Sequence, residues 1–252
     1  MKELLAAVIF FTRLPLWRVC QLPAEAFKNV VPYWSYVGWL TGGIMALTYI
    51  AASALFPMSI ALILAILSRL LLTGALHEDG LADFCDGFGG GRDDRNRILA
   101  IMKDSHIGTY GVIGLIIYYM TCYMCLLEMP SWLVPAILIG GDAWSKFCSA
   151  QIINFLPYAR KENEAKNKTV YDRMTVRLFC LSFIGGALPL LFLPVEMLPV
   201  LVLPAITSAL MILTMRRRIG GYTGDCCGAT FLISELSFYA GTLIILQFSP
   251  VI

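Results

Sequence analysis

The chain has 252 residues, of which 58% are hydrophobic and only 14% are charged, and its mean hydropathy is +0.74. Soluble domains carry about 25% charged residues, so the composition excludes an ordinary soluble protein and predicts a polytopic protein of the lipid bilayer. The net charge of +2 is too small to indicate a nucleic-acid partner. The eight cysteines form no paired C-x₂-C sets, which favours buried thiols over a zinc site.

The N-terminal segment, residues 1–12, is apolar but too short to span a hydrocarbon layer of about 30 Å. It lacks the small-residue cleavage site of a secretory signal peptide. We therefore expect an interfacial or re-entrant helix.

Seven longer apolar stretches follow and are predicted to be transmembrane helices. We expect an all-α membrane helix bundle that forms a single domain over residues 1–252. Within the first stretch, Gly38, Gly42 and Gly43 are predicted to be small packing positions. The approximate bounds of the stretches are 31–55, 58–76, 109–127, 132–153, 176–193, 200–215 and 229–247.

The basic residues are distributed unevenly between the two sides of this arrangement. Of the nineteen Lys and Arg residues, all but Arg69 and Lys146 lie before the first span, in residues 1–30, or in the loops at 77–108, 154–177 and 216–228. The positive-inside rule places those loops and the N-terminus in the cytoplasm and the C-terminus outside. Every polar motif described below is then expected on the cytoplasmic side.

Residues 77–91 form an acidic stretch directly after an apolar run, and they include Glu78, Asp79, Asp83 and Asp86. On an α-helix the three aspartates would share one face, where like charges destabilise the helix by roughly 0.2–0.5 kcal/mol per pair. The spacing therefore predicts one or two divalent cations, and hard oxygen ligands favour Mg²⁺ or Mn²⁺. A solvated acidic loop is the alternative. The glycines at 87 and 89–91 are expected to end the helix.

Four charged residues lie well inside predicted spans, away from the span ends, where such groups are costly. Arg69 is expected either to bind a substrate phosphate or to pair with a carboxylate. Asp142 and Lys146 are four residues apart and can pair with each other, so a structural role competes with a catalytic one. Glu235 is expected to face the interior of the bundle.

Residues 101–111 contain a carboxylate, a hydroxyl and one of the two histidines just before the third span. Asp104, His106 or His77 is a candidate general base for a hydroxyl group, and Lys103 is a candidate for binding substrate. Asp104 or Ser105 also fits the alternative of a helix N-cap.

Residues 220–228 form a glycine-rich polar stretch preceded by three arginines at 216–218. Backbone N–H groups at a helix start, together with mobile cations, suit a phosphate. Asp225 is a further candidate metal ligand. An ordinary glycine-rich loop next to arginines that determine topology is the alternative. The residues alone thus indicate a Mg²⁺-dependent membrane transferase acting on a phosphate or diphosphate.

The three motifs resemble those of the cobalamin synthase family, the adenosylcobinamide-GDP ribazoletransferases. The resemblance is carried by 76–87, 102–111 and 220–229 with Glu235, and residues 11–15 and 156–160 are similar too. It covers almost the whole chain in the expected order. It implies an integral protein of the bacterial inner membrane that joins α-ribazole, or its 5′-phosphate, to adenosylcobinamide-GDP and releases GMP, with Mg²⁺ as the cofactor.

The resemblance and the residue patterns together yield three groups of candidate site residues. The candidate catalytic residues are His77, Asp79, Asp83, Asp104 and His106. The candidate substrate-binding residues are Arg13, Arg69, Lys103, Arg218, Gly221, Thr223 and Gly224. The candidate metal ligands are Glu78, Asp79, Asp83, Asp86 and Asp225. The run at 161–166 is more charged than the glycine-containing stretch expected there from the family.

Two other functions compete with this assignment, and the oligomeric state stays open, with a homo-oligomer as one candidate. A CDP-alcohol phosphotransferase also uses membrane-helix aspartates, but its motif has Ala-Arg after the Asp-Gly pair, whereas Gly80 is followed by Leu81 and Ala82. A cation channel or carrier would need acids at mid-membrane on several spans, whereas these acids gather at the cytoplasmic edge.

Overall fold

A computed structural model describes residues 2–160 and 171–248. Those ranges contain α-helices, short 3₁₀ turns and an isolated parallel bridge between Tyr158 and Tyr222, but no longer strand. The 3₁₀ turns are Pro15–Arg18, Ala24–Asn29, Val31–Tyr33, Leu188–Phe192 and Val195–Leu201. The α-helices are α1 (Lys2–Phe11), α2 (Trp34–Ser53), α3 (Met58–Thr73), α4 (Leu76–Gly90), α5 (Arg95–Ile101), α6 (Thr109–Leu127), α7 (Val134–Ala150), α8 (Ile152–Phe155), α9 (Val176–Ala187), α10 (Val202–Arg218) and α11 (Gly224–Phe248).

Helices lie at all seven positions predicted for membrane spans, so the all-α class is confirmed. Within the described ranges, three helical segments are long and apolar enough to cross a membrane: Thr109–Leu127, Val195–Arg218 and Gly224–Phe248. A fourth is added if α3 and α4 count as one broken span. Large apolar side chains on these helices are exposed, among them Ile117, Met120 and Leu210, as expected for surfaces that face lipid. The total of seven spans stays a prediction.

The junction of α3 and α4, where the second predicted span meets the acidic motif, is a sharp bend. Gly74 and Ala75 have φ angles of +66° and +61°, and the two helices differ in direction by 89°. The left-handed conformation ends α3, because it breaks the helical hydrogen-bond ladder. The backbone N–H of Arg13 donates to the Leu72 carbonyl at 2.7 Å. Thus the N-terminal segment is attached to the bend.

The helices α2 and α7 approach closely at two of the three predicted small positions. A Cβ on Gly38 would lie 2.6 Å from Ala143 Cα, and a Cβ on Gly42 would lie 2.7 Å from the Leu138 carbonyl oxygen. These two positions are confirmed as packing glycines. Gly43 is not one of them, because a Cβ there would meet no atom within 4 Å.

Four buried charges join α3, α7 and α11 at the centre of the bundle. The Arg69 guanidinium forms an ion pair with Glu235 and lies 3.4 Å from Asp142 Oδ2, while Lys146 Nζ donates to Asp142. Tyr118 donates to Glu235 Oε2 at 2.9 Å. The expected Asp142–Lys146 pair and the inward position of Glu235 are therefore confirmed. Because Arg69 is only 1% exposed and both its terminal nitrogens are engaged here, we replace its predicted contact with substrate by the ion-pair alternative.

Candidate active site

The four acids of α4 point to different surroundings, although three of them were expected to share one face. Asp79 is exposed and Asp83 is half-buried, whereas Glu78 and Asp86 are buried. Glu78 Oε2 has no hydrogen-bond partner among the described residues. The difference arises because one side of α4 packs against α6 and α11. Asp79 and Asp83 are therefore the acids of this motif that keep contact with solvent.

Asp86 caps the start of α6. Its two carboxylate oxygens accept hydrogen bonds from the backbone N–H groups of Gly108, at 2.7 Å, and Gly111, at 2.9 Å. A carboxylate satisfies the free N–H groups of a helix N-terminus and interacts favourably with its dipole. The prediction of a cap at Asp104 or Ser105 is thus wrong, because the cap comes from the first motif. The structure gives Asp86 a fixed structural role instead of the predicted metal contact.

The glycines that follow Asp86 lie largely within α4, so the prediction that they end the helix is correct only for the last of them. The helix continues to Gly90, and Gly91 follows it. A Cβ on Gly87 would lie 2.4 Å from Met102 Cγ, and one on Gly89 would lie 2.6 Å from the Tyr110 ring. These glycines let the first motif pack closely on the second.

The crossing of α4 and α11 brings the first and third motifs together. A Cβ on Gly80 would lie 2.9 Å from the Asp225 carbonyl oxygen, and one on Gly228 would lie 3.1 Å from His77 Cα. Each helix therefore uses a glycine where the backbone of the other passes. The contact sets Asp79 and Asp225 beside the same opening.

That opening is a cavity of about 160 Å³, which we call the aromatic cleft. It is bounded by α1, the start of α2, the start of α4, the start of α11 and the residues on either side of the segment 161–170. Its polar lining residues are His77, Asp79, Arg160 and Asp225. Its other lining residues are Phe10, Phe11, Val31, Trp34, Leu76, Tyr158, Tyr171, Gly224, Cys227 and Gly228.

The glycine-rich third motif pairs with the loop that ends α8. The backbone N–H of Ala159 donates to the Tyr222 carbonyl at 2.8 Å, and the N–H of Tyr222 donates to the Pro157 carbonyl at 3.0 Å. Gly221 permits this, because a Cβ there would lie 2.5 Å from the Pro157 carbonyl oxygen. Thr223 is buried, and its Oγ1 accepts from the N–H of Cys226 at 3.4 Å. Gly221 and Thr223 therefore shape the loop, whereas Gly224 lines the cleft itself.

A second cavity of about 350 Å³, which we call the basic cleft, adjoins the first at Arg160. Arg95 is anchored in its wall by donating to the carbonyls of Ile219, at 2.8 Å, and Ala159, at 2.6 Å. Lys103 supplies a third cation. This cleft is lined by Arg95, Asn96, Leu99, Ala100, Lys103, Ala159 and Arg160.

Four other predicted residues line neither cleft. Arg218 binds the loop between α4 and α5, with its Nε 3.3 Å from Asp93 Oδ1. Arg13 lies on the bend beside Gly74. Asp104 and His106 are exposed and pair with each other, with His106 Nδ1 2.7 Å from Asp104 Oδ1. The hydrogen bonds from His106 lower the pKa of Asp104.

The predicted five-ligand metal set does not form one cage. Among residues 2–160 and 171–248, no three His, Cys, Asp or Glu side chains converge as ligands for a metal ion. The structure brings Asp79 and Asp225 to the aromatic cleft but directs Glu78 and Asp86 elsewhere.

Comparison with known proteins identifies the family. The chain matches the cobalamin-5-phosphate synthase family over residues 3–243. The chain belongs to this family. It is 37% identical to the adenosylcobinamide-GDP ribazoletransferase of Shewanella amazonensis, over 96% of this chain and 94% of the relative. It is 34% identical to that of Shewanella woodyi and 35% identical to that of Vibrio cholerae, again over 96% of this chain and over 95% and 94% of the relatives. No solved structure matches it.

Membership in the cobalamin-5-phosphate synthase family makes the chain an enzyme of the transferase class that acts in cobalamin biosynthesis. The family resemblance of residues 11–15 and 156–160 has a structural counterpart, because Phe11, Tyr158 and Arg160 line the aromatic cleft. These side chains, together with Trp34 and Tyr171, were not among the predicted site residues. For Phe11, Tyr158 and Arg160, the only signal in the sequence was the family resemblance of residues 11–15 and 156–160. The charged run at 161–166 lies outside the described residues.

Proposed function

We propose that this enzyme joins α-ribazole, or its 5′-phosphate, to adenosylcobinamide-GDP and releases GMP, yielding adenosylcobalamin or its 5′-phosphate. The names of the relatives, adenosylcobinamide-GDP ribazoletransferases, support this reaction. The observation that carries the proposal is the convergence of Asp79, Asp225 and Arg160 on one cleft, since these residues come from three separate motifs. Carboxylates and a guanidinium around one opening suit the transfer of a phosphoryl group.

In the proposed reaction, the ribose 3′-hydroxyl oxygen of the acceptor bonds to the phosphorus that carries the aminopropanol arm. The bond from that phosphorus to the bridging oxygen of the diphosphate breaks, and GMP leaves with the electron pair. The hydroxyl proton passes to water at the opening of the cleft, where Asp79 is exposed. Arg160 lies where it can balance the charge of the phosphates.

A magnesium ion fits the donor set of the aromatic cleft. Mg²⁺ is usually held by one or two carboxylates, waters and substrate phosphates instead of an all-protein cage. Asp79 and Asp225 provide two carboxylates at one opening, and Asp83 follows Asp79 by one helical turn. We propose that these aspartates hold the ion, which when bound neutralises the diphosphate and makes GMP a better leaving group.

The basic cleft is the proposed position of the leaving nucleotide. Its three cations, Arg95, Lys103 and Arg160, suit a group that departs with negative charge. It adjoins the aromatic cleft through Arg160, so a diphosphate can extend from one cavity to the other. The aromatic cleft, at about 160 Å³, is smaller than the 300–1,000 Å³ typical of pockets that enclose a whole drug-sized ligand. Most of the large cobinamide substrate therefore lies outside it.

We also propose that the chain spans the bacterial inner membrane with both clefts on the cytoplasmic side. Most of the residues that line the two clefts belong to the loops that carry most of the Lys and Arg residues. Such loops are retained in the cytoplasm. The cytoplasmic position gives the enzyme direct access to soluble nucleotide substrates.

The reaction is tested with purified protein in lipid, adenosylcobinamide-GDP and α-ribazole, with and without Mg²⁺. GMP and a cobalamin are measured by chromatography, and we expect both to appear only with the metal. Asp79→Asn should lower the rate by about 10²–10³-fold, as is typical when a group that stabilises transition-state charge is lost.

Asp94→Asn is the matched control. Asp94 caps α5 by accepting from the N–H groups of Asn96 and Arg97, and Asn is an equally good cap, so its rate should stay unchanged. Full turnover by Asp79→Asn would rule out the role of this carboxylate. Folded wild-type protein that forms no GMP would refute the reaction and lead to trials of CDP-linked donors.

A further inference from the structure

The walls of the aromatic cleft are flat and apolar over much of their area. The rings of Phe11 and Trp34 stack with centroids 5.0 Å apart and planes 11° apart. Phe10 and Tyr171 meet edge to face at 6.1 Å on the same lining. The faces of aromatic side chains bind planar bases by stacking. Stacking does not depend on which hydrogen-bonding groups the base carries.

Two buried ring nitrogens at this cleft have no partner. Trp34 is 1% exposed and His77 is 2% exposed, and their ring centroids are 5.4 Å apart. Neither Trp34 Nε1 nor His77 Nε2 has a hydrogen-bond partner in the part of the chain that the structure describes. Buried polar groups without partners are rare in folded proteins. The indole N–H can only donate, so an acceptor atom of a ligand would satisfy it.

We infer that the aromatic cleft binds the planar base of the acceptor nucleoside, with Trp34 and His77 as residues that determine specificity. The inference rests on the proposed function and adds the place where one of its two substrates binds. The base of ribazole is a dimethylated benzimidazole with one free ring nitrogen, which is an acceptor, and an otherwise apolar edge. That base matches an aromatic lining in which Trp34 has an unsatisfied donor.

The guanine of the donor substrate fits the cleft less well. The edge of guanine carries N–H donors as well as acceptors. Each of these groups would need a hydrogen-bond partner in the cleft once the base is buried. Phe10, Phe11 and Val31 provide none. The carboxylates of the cleft, Asp79 and Asp225, are those that the proposed reaction uses for the phosphates. Guanosine is therefore assigned to the basic cleft and the benzimidazole to the aromatic cleft.

Binding experiments on the full chain in lipid nanodiscs test this assignment. The affinities for α-ribazole alone and for adenosylcobinamide-GDP alone are measured by titration calorimetry. We expect Phe11→Leu, which removes a stacking ring, to weaken α-ribazole binding about tenfold, within the range for loss of one base–aromatic stack. Trp34→Phe keeps a ring but removes the donor and should weaken it by about fivefold. The affinity for adenosylcobinamide-GDP should change less than twofold.

Trp39→Phe is the matched control, since Trp39 lies on the same helix, outside the cleft, and its Nε1 donates to the Gly185 carbonyl. It should leave both affinities unchanged. Weaker donor binding with normal α-ribazole binding in the cleft variants would overturn the inference and assign the cleft to guanosine. Normal binding of both substrates by Phe11→Leu and Trp34→Phe would also overturn it.

A measurement on the unmodified protein keeps the inference testable if a variant does not fold. In saturation-transfer NMR, the methyl protons of the α-ribazole base should receive more saturation than its ribose protons, because they lie against the aromatic walls. The reverse order would refute the inference. The proposed reaction fails separately, through absence of GMP from wild-type protein supplied with both substrates and Mg²⁺.

Discussion

Asp79 and Asp86 lie on the same helix and belong to the same motif, but their surroundings separate their roles. Asp79 is exposed at the aromatic cleft. Asp86 is buried, and both its carboxylate oxygens accept backbone hydrogen bonds at the start of α6. A carboxylate whose oxygens are engaged in this way is a poor candidate for exchangeable metal binding. The sequence does not show this difference, because Asp86 has the same charge as Asp79 and lies on the same predicted helix face.

Asp86→Asn should therefore destabilise the protein without changing its metal requirement. An amide has only one acceptor oxygen, so one of the two N–H groups of Gly108 and Gly111 would lose its partner, at a cost of about 1–3 kcal/mol. The free energy is followed by thermal unfolding in detergent with a thiol-reactive dye, which reports exposure of the buried cysteines. The Mg²⁺ concentration for half-maximal GMP release should stay the same. A large rise in that concentration with an unchanged melting temperature would restore Asp86 as a metal ligand.

At the scale of elements, the crossing of α4 and α11 determines which groups meet. Gly80 and Gly228 let the two backbones approach, and the bend at Gly74 turns α4 across the end of α3. A straight helix from residue 58 onward would carry Asp79 along the axis of α3 instead of across the bundle toward Asp225. The close approach and the bend therefore do as much to form the cleft as the carboxylates themselves.

Gly80→Ala should lower both stability and activity. The new methyl group would lie 2.9 Å from the Asp225 carbonyl oxygen, so α4 and α11 must separate. Overpacking of this kind costs typically 1–3 kcal/mol, and displacement of Asp225 should reduce GMP release as well. Gly43→Ala is the control, since the added methyl group meets no atom within 4 Å, and alanine is favoured over glycine in a helix by about 1 kcal/mol. Equal melting temperatures for the two variants would contradict the close helix contact.

At the scale of the whole molecule, the central ion network holds the spans together and carries no net charge. Arg69 and Lys146 balance Asp142 and Glu235, and hydroxyl groups complete the arrangement: Thr41 Oγ1 lies 3.0 Å from both Asp142 oxygens, and Tyr239 donates to Glu235 at 3.0 Å. Buried charges are tolerated only when they are paired and hydrogen-bonded in this way. The network is thus a structural feature of the bundle.

Arg69→Met should destabilise the protein severely, because it leaves Glu235 as a buried carboxylate without its cation. Removing one partner of a buried pair costs about 3–5 kcal/mol. The double variant Arg69→Met with Glu235→Gln removes both charges and should recover much of that loss. Yield of folded protein and melting temperature provide the readout. A double variant as unstable as the single one would mean that the pairing with Glu235 is not the reason Arg69 is needed.

The number and direction of the membrane spans are tested by fusions at the C-terminus. Seven spans with the N-terminus in the cytoplasm place the C-terminus outside, where alkaline phosphatase is active and green fluorescent protein is not fluorescent. Fusions after residue 95 and after residue 217 should show the opposite behaviour, because those loops are basic. A fluorescent C-terminal fusion would contradict an odd number of spans.

Much of the fold could be predicted from the sequence, because the bilayer selects for local properties. A segment in lipid needs apolar side chains and a backbone whose hydrogen bonds are satisfied within the segment, and basic residues collect in the loops between such segments. Helices occupy every stretch predicted to be one, and the range predicted for the third span, Thr109–Leu127, coincides with α6. Asp142 and Lys146 pair as their spacing predicts. The family resemblance, confirmed by the match over residues 3–243, supplied the chemistry that spacing alone does not specify.

The composition of the site was decided by tertiary structure. Helical spacing states which residues share a face, but not what packs against that face, and so it grouped Asp86 with Asp79. Packing against α6 buried Asp86 and left Asp79 at the cleft. The aromatic walls come from α1, α2 and two loops, and no local pattern shows that they will meet. Sequence alone determined which groups are present and on which segments; the bend and the close helix contacts determined which of them face one another.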